Sequence, residues 1–251
     1  MYLRVISCEV LAREVYLAAA TSPHMIDVEM VPKGLHETPD VLRAELQRRI
    51  DAVDDGKYDR IVLVYGLCGN STRGLVARSK PLILVRAHDC ITLYLGSRDR
   101  YTEEFVGHPG TYYYSDDYIE RSALSDSGFS ALGADTSSDA EKTYQEYVER
   151  YGEDNAAYLM EVMGAWQQHY KRAAYIDMGI PGLCGCRQQA VDEALRRGWE
   201  FVDLQGDHSL IRRLIRGEWN DDFLVVQPGQ RVAATYREDI LAATDSAVAE
   251  R

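Results

Sequence analysis

In the stretch Asp59 to Tyr65, from Ile61 on, and again from Pro81 to Val85, apolar side chains fall on consecutive positions instead of alternate ones. Successive side chains of a strand point to opposite faces, so strands written this way are covered on both sides. That demands a sheet with a layer above and a layer below it. The flanking sequence supplies the layers. Leu3 to Cys8 reads as a first strand, Val10 to Ala20 as its helix, and Ile26 to Val31 as a second strand. Thr38-Pro39-Asp40 then opens a helix: Thr38 suits the N-cap, Pro39 the first helical position, and Asp40 the positive end of the dipole. Val41, Leu42, Leu46, Ile50 and Val53 continue it at helical period. Gly66 to Ser71 reads as a tight loop, with a short helix expected to follow to Ala77. This βαβαβαβ order implies a mostly parallel sheet with right-handed crossovers and helices on both faces, flavodoxin- or Rossmann-like.

Beyond Gly107 the pattern changes. Thr111 to Tyr118 is rich in Tyr, Ser and Asp and reads as a hairpin or lid. Residues 125–138 read as a loop, and a helical insertion is expected from Asp139 to about Lys171. Alternation then resumes: strand Ala173 to Met178, helix Arg187 to Arg197, strand Glu200 to Leu204, helix Ser209 to Ile215 and a last strand Phe223 to Val226. The expected organisation is one α/β domain over 1–251. Its first βα half is 1–106, its lid and insertion 107–171, and its second βα half 172–251.

The longest apolar runs are strand-sized, far short of the ~20 residues that span a bilayer. Met1 to Ile6 runs straight into a strand pattern without the features of a secretory signal, so a cytoplasmic location is expected. A net charge of −12 argues against nucleic-acid binding, which needs clustered Lys and Arg. In such a chain the five cysteines do not read as a disulfide framework. They are either buried small hydrophobes or chemistry.

Their positions favour chemistry. In an open parallel sheet, ligands bind at the carboxyl ends of the strands. Cys8 ends strand one, Cys68 follows strand three, and His88 and Cys90 follow strand four. With strand order 2-1-3-4 these three strands are neighbours, and the outer two are roughly 10 Å apart. Loop side chains can close that gap onto one metal, with bonds of ~2.3 Å to sulfur and ~2.0 Å to nitrogen. Cys8, Cys68, His88 and Cys90 are therefore the expected ligands. Taken alone, each reads first as a packing residue; the combination points to a metal.

Other polar residues gather at the same edge. Glu9 and Asp89 adjoin the ligands as candidate general bases or as acceptors that orient His88. Arg86 is a candidate for holding a substrate carboxylate or phosphate, or for an ordinary salt bridge. Gly66 and Gly69 give their loop a backbone able to cradle an anion of a cofactor or substrate. They match neither a Walker A sequence nor a dinucleotide fingerprint. His36 reads first as a loop histidine, Asp207 as a helix N-cap as much as a cleft residue, and Cys184 and Cys186 as packing or peripheral residues.

Four motifs in order carry a resemblance. Cys8-Glu9-Val10-Leu11, Leu35-His36-x-x-Pro39, Tyr65-Gly66-Leu67-Cys68-Gly69, and His88-Asp89-Cys90-Ile91 through Leu95-Gly96-Ser97 resemble a prokaryotic family, the domain-of-unknown-function family numbered 1638. The resemblance implies an association with corrinoid-dependent methyl-transfer systems. His88-Asp89-Cys90 is also similar to the His-x-Cys element of zinc-dependent methylcobalamin:thiol methyltransferases, a likeness of local chemistry and not of fold. Together these imply a zinc-dependent transferase of methyl or other one-carbon groups. Its substrate would be a small molecule, and its partners corrinoid or methyltransferase proteins. Two alternatives stay open: a 4Fe-4S cluster on the same cysteines, and a non-catalytic metal or corrinoid accessory protein.

Overall fold

The structure is a computed structural model, and it describes residues 1–123, 170–183, 185–235 and 239–246. These cluster into two compact units, Met1–Tyr101 with the chain from Asp207 onward, and Thr102–Gly206. The sequence pattern reads as a single domain because βα alternation returns after the insertion. The alternation is shared between two sheets.

The first unit is built on β1 (Tyr2–Cys8), β2 (Met25–Val31), β3 (Arg60–Val64), β4 (Leu82–Val85) and β8 (Phe223–Val226), in the order β2-β1-β3-β4-β8. The first four are mutually parallel, and β8 runs antiparallel on the far edge of β4. Ile61 to Val64 and Leu82 to Val85 are all buried, as their consecutive apolar residues require of a sheet centre covered on both faces. Helix α1 (Ala12–Ala20) packs with α7 (Ser209–Ile215) against this sheet. Helix α2 (Pro39–Asp51) buries Leu42, Leu46 and Ile50, one stripe at helical spacing. Pro39 starts it as expected and Thr38 is its N-cap residue, but the Thr38 hydroxyl makes no capping bond.

Two local expectations fail in this unit. Residues 68–77 form turns and no helix, because Cys68, Gly69 and Asn70 all take left-handed backbone, which ends any right-handed turn. The segment then extends along β9 (Gln230–Ala234), bonded through Gly74 N–H to the Val232 carbonyl and Val232 N–H to the Leu75 carbonyl. Phe223–Val226 is also not the last strand. β9 and β10 (Leu241–Asp245) follow as an antiparallel hairpin.

The second unit holds a three-stranded parallel sheet, β5-β6-β7, of Thr111–Tyr114, Arg172–Asp177 and Glu200–Gln205. Thr111 to Tyr118 is therefore no hairpin. Its first four residues are β5, and α5 (Asp116–Ala123) follows. Helix α6 (Cys186–Arg197) packs on β6 and β7, closing a core with Tyr112, Tyr114, Tyr175 and Ile119. The helical insertion expected over 139–171 lies almost wholly outside the described residues. Among those described, no helix is long and apolar enough to cross a membrane.

Candidate functional site

Backbone geometry brings the cysteine loops together. Beyond the ends of β3 and β4 the two chains stay zipped: Leu67 N–H donates to the Ala87 carbonyl and Cys68 N–H to the His88 carbonyl, both at 2.8 Å. Gly66 permits this approach. A Cβ there would lie 2.7 Å from the Ala87 carbonyl oxygen and 3.1 Å from the Asp89 nitrogen. The loop turns through Cys68 at φ +45°, Gly69 at +63° and Asn70 at +70°. Left-handed backbone at a residue with a Cβ costs about 1–3 kcal/mol, and the surroundings must hold it. Here the Ser71 hydroxyl donates to the Cys68 carbonyl at 2.7 Å and the Thr72 hydroxyl to the Gly66 carbonyl at 3.0 Å.

Cys90 opens α3 (Cys90–Leu95), with Asp89 as its N-cap. The Asp89 carboxylate accepts from Ile91 N–H at 3.0 Å and from the Tyr101 hydroxyl at 3.2 Å. Burial nonetheless raises its pKa, outweighing those donors. Asp89 thus fixes the start of the helix that carries Cys90. Cys8 ends β1, and its sulfur lies 3.2 Å from Nε2 of His36. The His36 ring stacks on Tyr65, centroids 5.8 Å apart and planes 17° apart. The Tyr65 hydroxyl is buried with no hydrogen bond of good geometry among the described residues, and Cys8 and Cys68 are the polar neighbours that act on it most.

The three sulfurs lie close enough to influence one another. Burial comes first in pushing up each thiol, with further contributions from neighbours. Cys8 rises to about 12, while the negative charge of Asp89 adds to the rise at Cys68 and Cys90, and ionisation of one sulfur would disfavour that of the next. Cys8 is buried, whereas Cys68 and Cys90 keep part of their surface open. All three are therefore neutral thiols at neutral pH in the metal-free protein. With its pKa moved from 9 to about 12, Cys8 holds roughly a thousandth of the usual thiolate. Iodoacetamide at pH 8 should alkylate Cys8 at least ~100-fold more slowly in the native, metal-free protein than in urea, read residue by residue by mass spectrometry. Equal rates would show that the thiol is neither buried nor neutral.

The remaining candidates divide. His88 is exposed and stacks on Tyr101 with centroids 5.9 Å apart. Glu9 accepts from Lys33 N–H at 2.7 Å, tying the start of the His36 segment to the residue after Cys8. Arg86 donates to the Leu241 carbonyl and, at 3.2 Å, to the Asp239 carbonyl, with the Asp239 carboxylate 3.9 Å away. It clamps the turn into β10. Gly69 is exposed and open, whereas Gly66 serves backbone packing. The Asp207 carboxylate accepts from Ser209 N–H at 2.7 Å at the start of α7. Cys186 belongs to the second unit, buried and disulfide-bonded, and Cys184 lies outside the described residues. His36 and Tyr65 stand beside Cys8 and were not among the expected ligands. The signal for both was their position at the carboxyl ends of β2 and β3.

Among the described residues, no three His, Cys, Asp or Glu side chains are gathered tightly enough to hold a metal ion as they stand. An open groove of about 630 Å³, lined by Arg4, Tyr16 and Asp27 among others, lies along the amino halves of β1 and β2 and involves none of the cysteines.

Residues 30–215 match the family model described as "Protein of unknown function (DUF1638)". The chain belongs to this family. The match takes in His36, Tyr65, Cys68, His88 and Cys90, while Cys8 lies before it. No curated protein and no solved structure matches the chain.

Proposed function

We propose that this DUF1638 protein binds a soft metal ion, zinc first, through Cys8, Cys68 and Cys90, and serves one-carbon or methyl-group transfer to or from a small molecule. One observation carries the reading: three free thiols collect at the carboxyl ends of three adjacent parallel strands, where ligands of such sheets bind. In this reading the first unit is flavodoxin-like, with its strand order reversing between β1 and β3, beside Cys8 and Cys68. Two further features support it. The left-handed backbone at Cys68, held by the neighbouring loop and by Ser71 and Thr72, fixes a cysteine beyond the end of β3 at a conformational cost. The buried Tyr65 hydroxyl is set beside Cys8, whose thiolate, once formed on a metal, would accept its hydrogen bond more strongly than a neutral thiol.

The donor set suits zinc, which takes thiolate sulfur and neutral imidazole. Because the thiols are neutral and not gathered on one point, loading must both displace their protons and draw them together. Bound zinc would supply a Lewis acid that keeps a substrate thiol ionised and nucleophilic. The protein's own part is to position the sulfurs: Asp89 by capping the Cys90 helix, Ser71 and Thr72 by bracing the Cys68 loop. The methyl-transfer class and the corrinoid or methyltransferase partners rest on the sequence resemblance.

Metal analysis of anaerobically purified protein, with its absorption spectrum, tests the reading. About one zinc per chain and no visible colour is the expected result. Iron and sulfide with broad absorbance in the violet would replace zinc by a cluster on the same cysteines. Protein that holds no metal and takes none up would overturn the reading.

A further inference from the structure

We propose that His36, and not His88, supplies the imidazole of this site, so that its protein ligands are Cys8, Cys68, Cys90 and His36. The inference rests on the metal reading above and goes beyond it by replacing one ligand. His36 Nε2 already lies 3.2 Å from the Cys8 sulfur, close to the separation of two ligands on one tetrahedral ion. Three contacts hold it there. Tyr65 stacks on the ring and sets its plane. Glu9 accepts the Lys33 N–H and fastens the 3₁₀ segment Lys33–Glu37 to the end of β1. Pro39 then starts α2 two residues beyond that segment, limiting its freedom on the other side.

Chemistry agrees with the placement. Imidazole nitrogen is an ordinary zinc donor beside thiolates, and this ring is half-buried with Nε2 turned to a sulfur. His88 is placed differently. It is exposed, with one ring face against Tyr101, and its backbone carbonyl serves the zipper by accepting from Cys68 N–H. Its backbone thus builds the site, and its side chain is on the surface.

The test uses the full-length chain, stripped of metal and titrated anaerobically with Co²⁺, whose sulfur-to-cobalt and d–d absorptions report the ligands. Wild type should bind about one equivalent with the spectrum of a tetrahedral thiolate site. His36→Ala should weaken binding about 100-fold or more, while His88→Ala stays within about threefold of wild type. His36→Cys should restore binding and raise the sulfur-to-cobalt intensity by roughly one third, a fourth thiolate added to three. This gain separates ligation from a structural role, since a variant that only repairs packing would not change the count of sulfurs. Far-ultraviolet circular dichroism checks that each variant is folded. Wild-type binding that survives His36→Ala, or that falls on His88→Ala instead, overturns the inference and leaves the metal reading standing. A wild-type chain that takes up no cobalt overturns both.

Discussion

Cys68→Ser should lower metal content at least tenfold and leave the fold intact, while Cys186→Ala, in the other unit, leaves the metal in place. A serine hydroxyl is a poor ligand for a soft ion, and Cys68 stands in a loop outside the sheet core. Cys68→Gly sharpens the test because its two effects have opposite signs. Glycine relieves the left-handed backbone at φ +45°, so the metal-free protein should become more stable by up to about 1 kcal/mol in urea unfolding. Metal binding should be lost all the same. A residue kept for packing would show the reverse, with stability falling when its side chain is removed. Full metal occupancy in both variants would show that the site, if present, does not use Cys68.

Gly66→Ala should destabilise the first unit by about 1–3 kcal/mol and weaken metal binding, although it removes no ligand. The added Cβ would sit 2.7 Å from the Ala87 carbonyl oxygen and 3.1 Å from both the Ala87 carbonyl carbon and the Asp89 nitrogen. All three are backbone atoms of the neighbouring loop, so none can swing aside as a flexible side chain would. Relief requires the Cys68 loop to part from the Cys90 loop, stretching the bonds from Leu67 and Cys68 to the Ala87 and His88 carbonyls. Urea unfolding reads the first effect and cobalt titration the second. Gly69→Ala is the comparison. A Cβ at Gly69 would meet only Pro39 Cγ at 3.9 Å, an ordinary contact, so alanine there should cost only its left-handed backbone, about 1 kcal/mol. If Gly66→Ala proves as mild as Gly69→Ala, the zipper is not what sets the separation of the two cysteine loops.

The parallel sheet was legible because its cause is local. Consecutive apolar residues at 61–64 and 82–85 mean two covered faces wherever they occur, and the helical stripe of Leu42, Leu46 and Ile50 means one. Cys8, Cys68 and Cys90 could be grouped for the same reason: parallel strands put their carboxyl ends on one side whatever lies between them. Several other features were not written locally. The direction of β8 depends on a chain that returns from the second unit to pair with β4, and a short apolar run reads alike in either direction. A short helix was expected after the loop at Gly66–Ser71, but the left-handed run at Cys68, Gly69 and Asn70 is imposed by bonds to the neighbouring loop and by Ser71 and Thr72. The roles of the two histidines were decided the same way. His88 sits beside Cys90 in sequence, which made it the obvious imidazole, and yet its side chain is exposed. His36 is 28 residues from Cys8 and touches its sulfur. Sequence spacing determined which strand ends carry sulfur. Only the packing of the Lys33–Glu37 segment against Tyr65 and Glu9 decided which nitrogen stands beside it, because that contact joins three strand ends and is encoded in none of them alone.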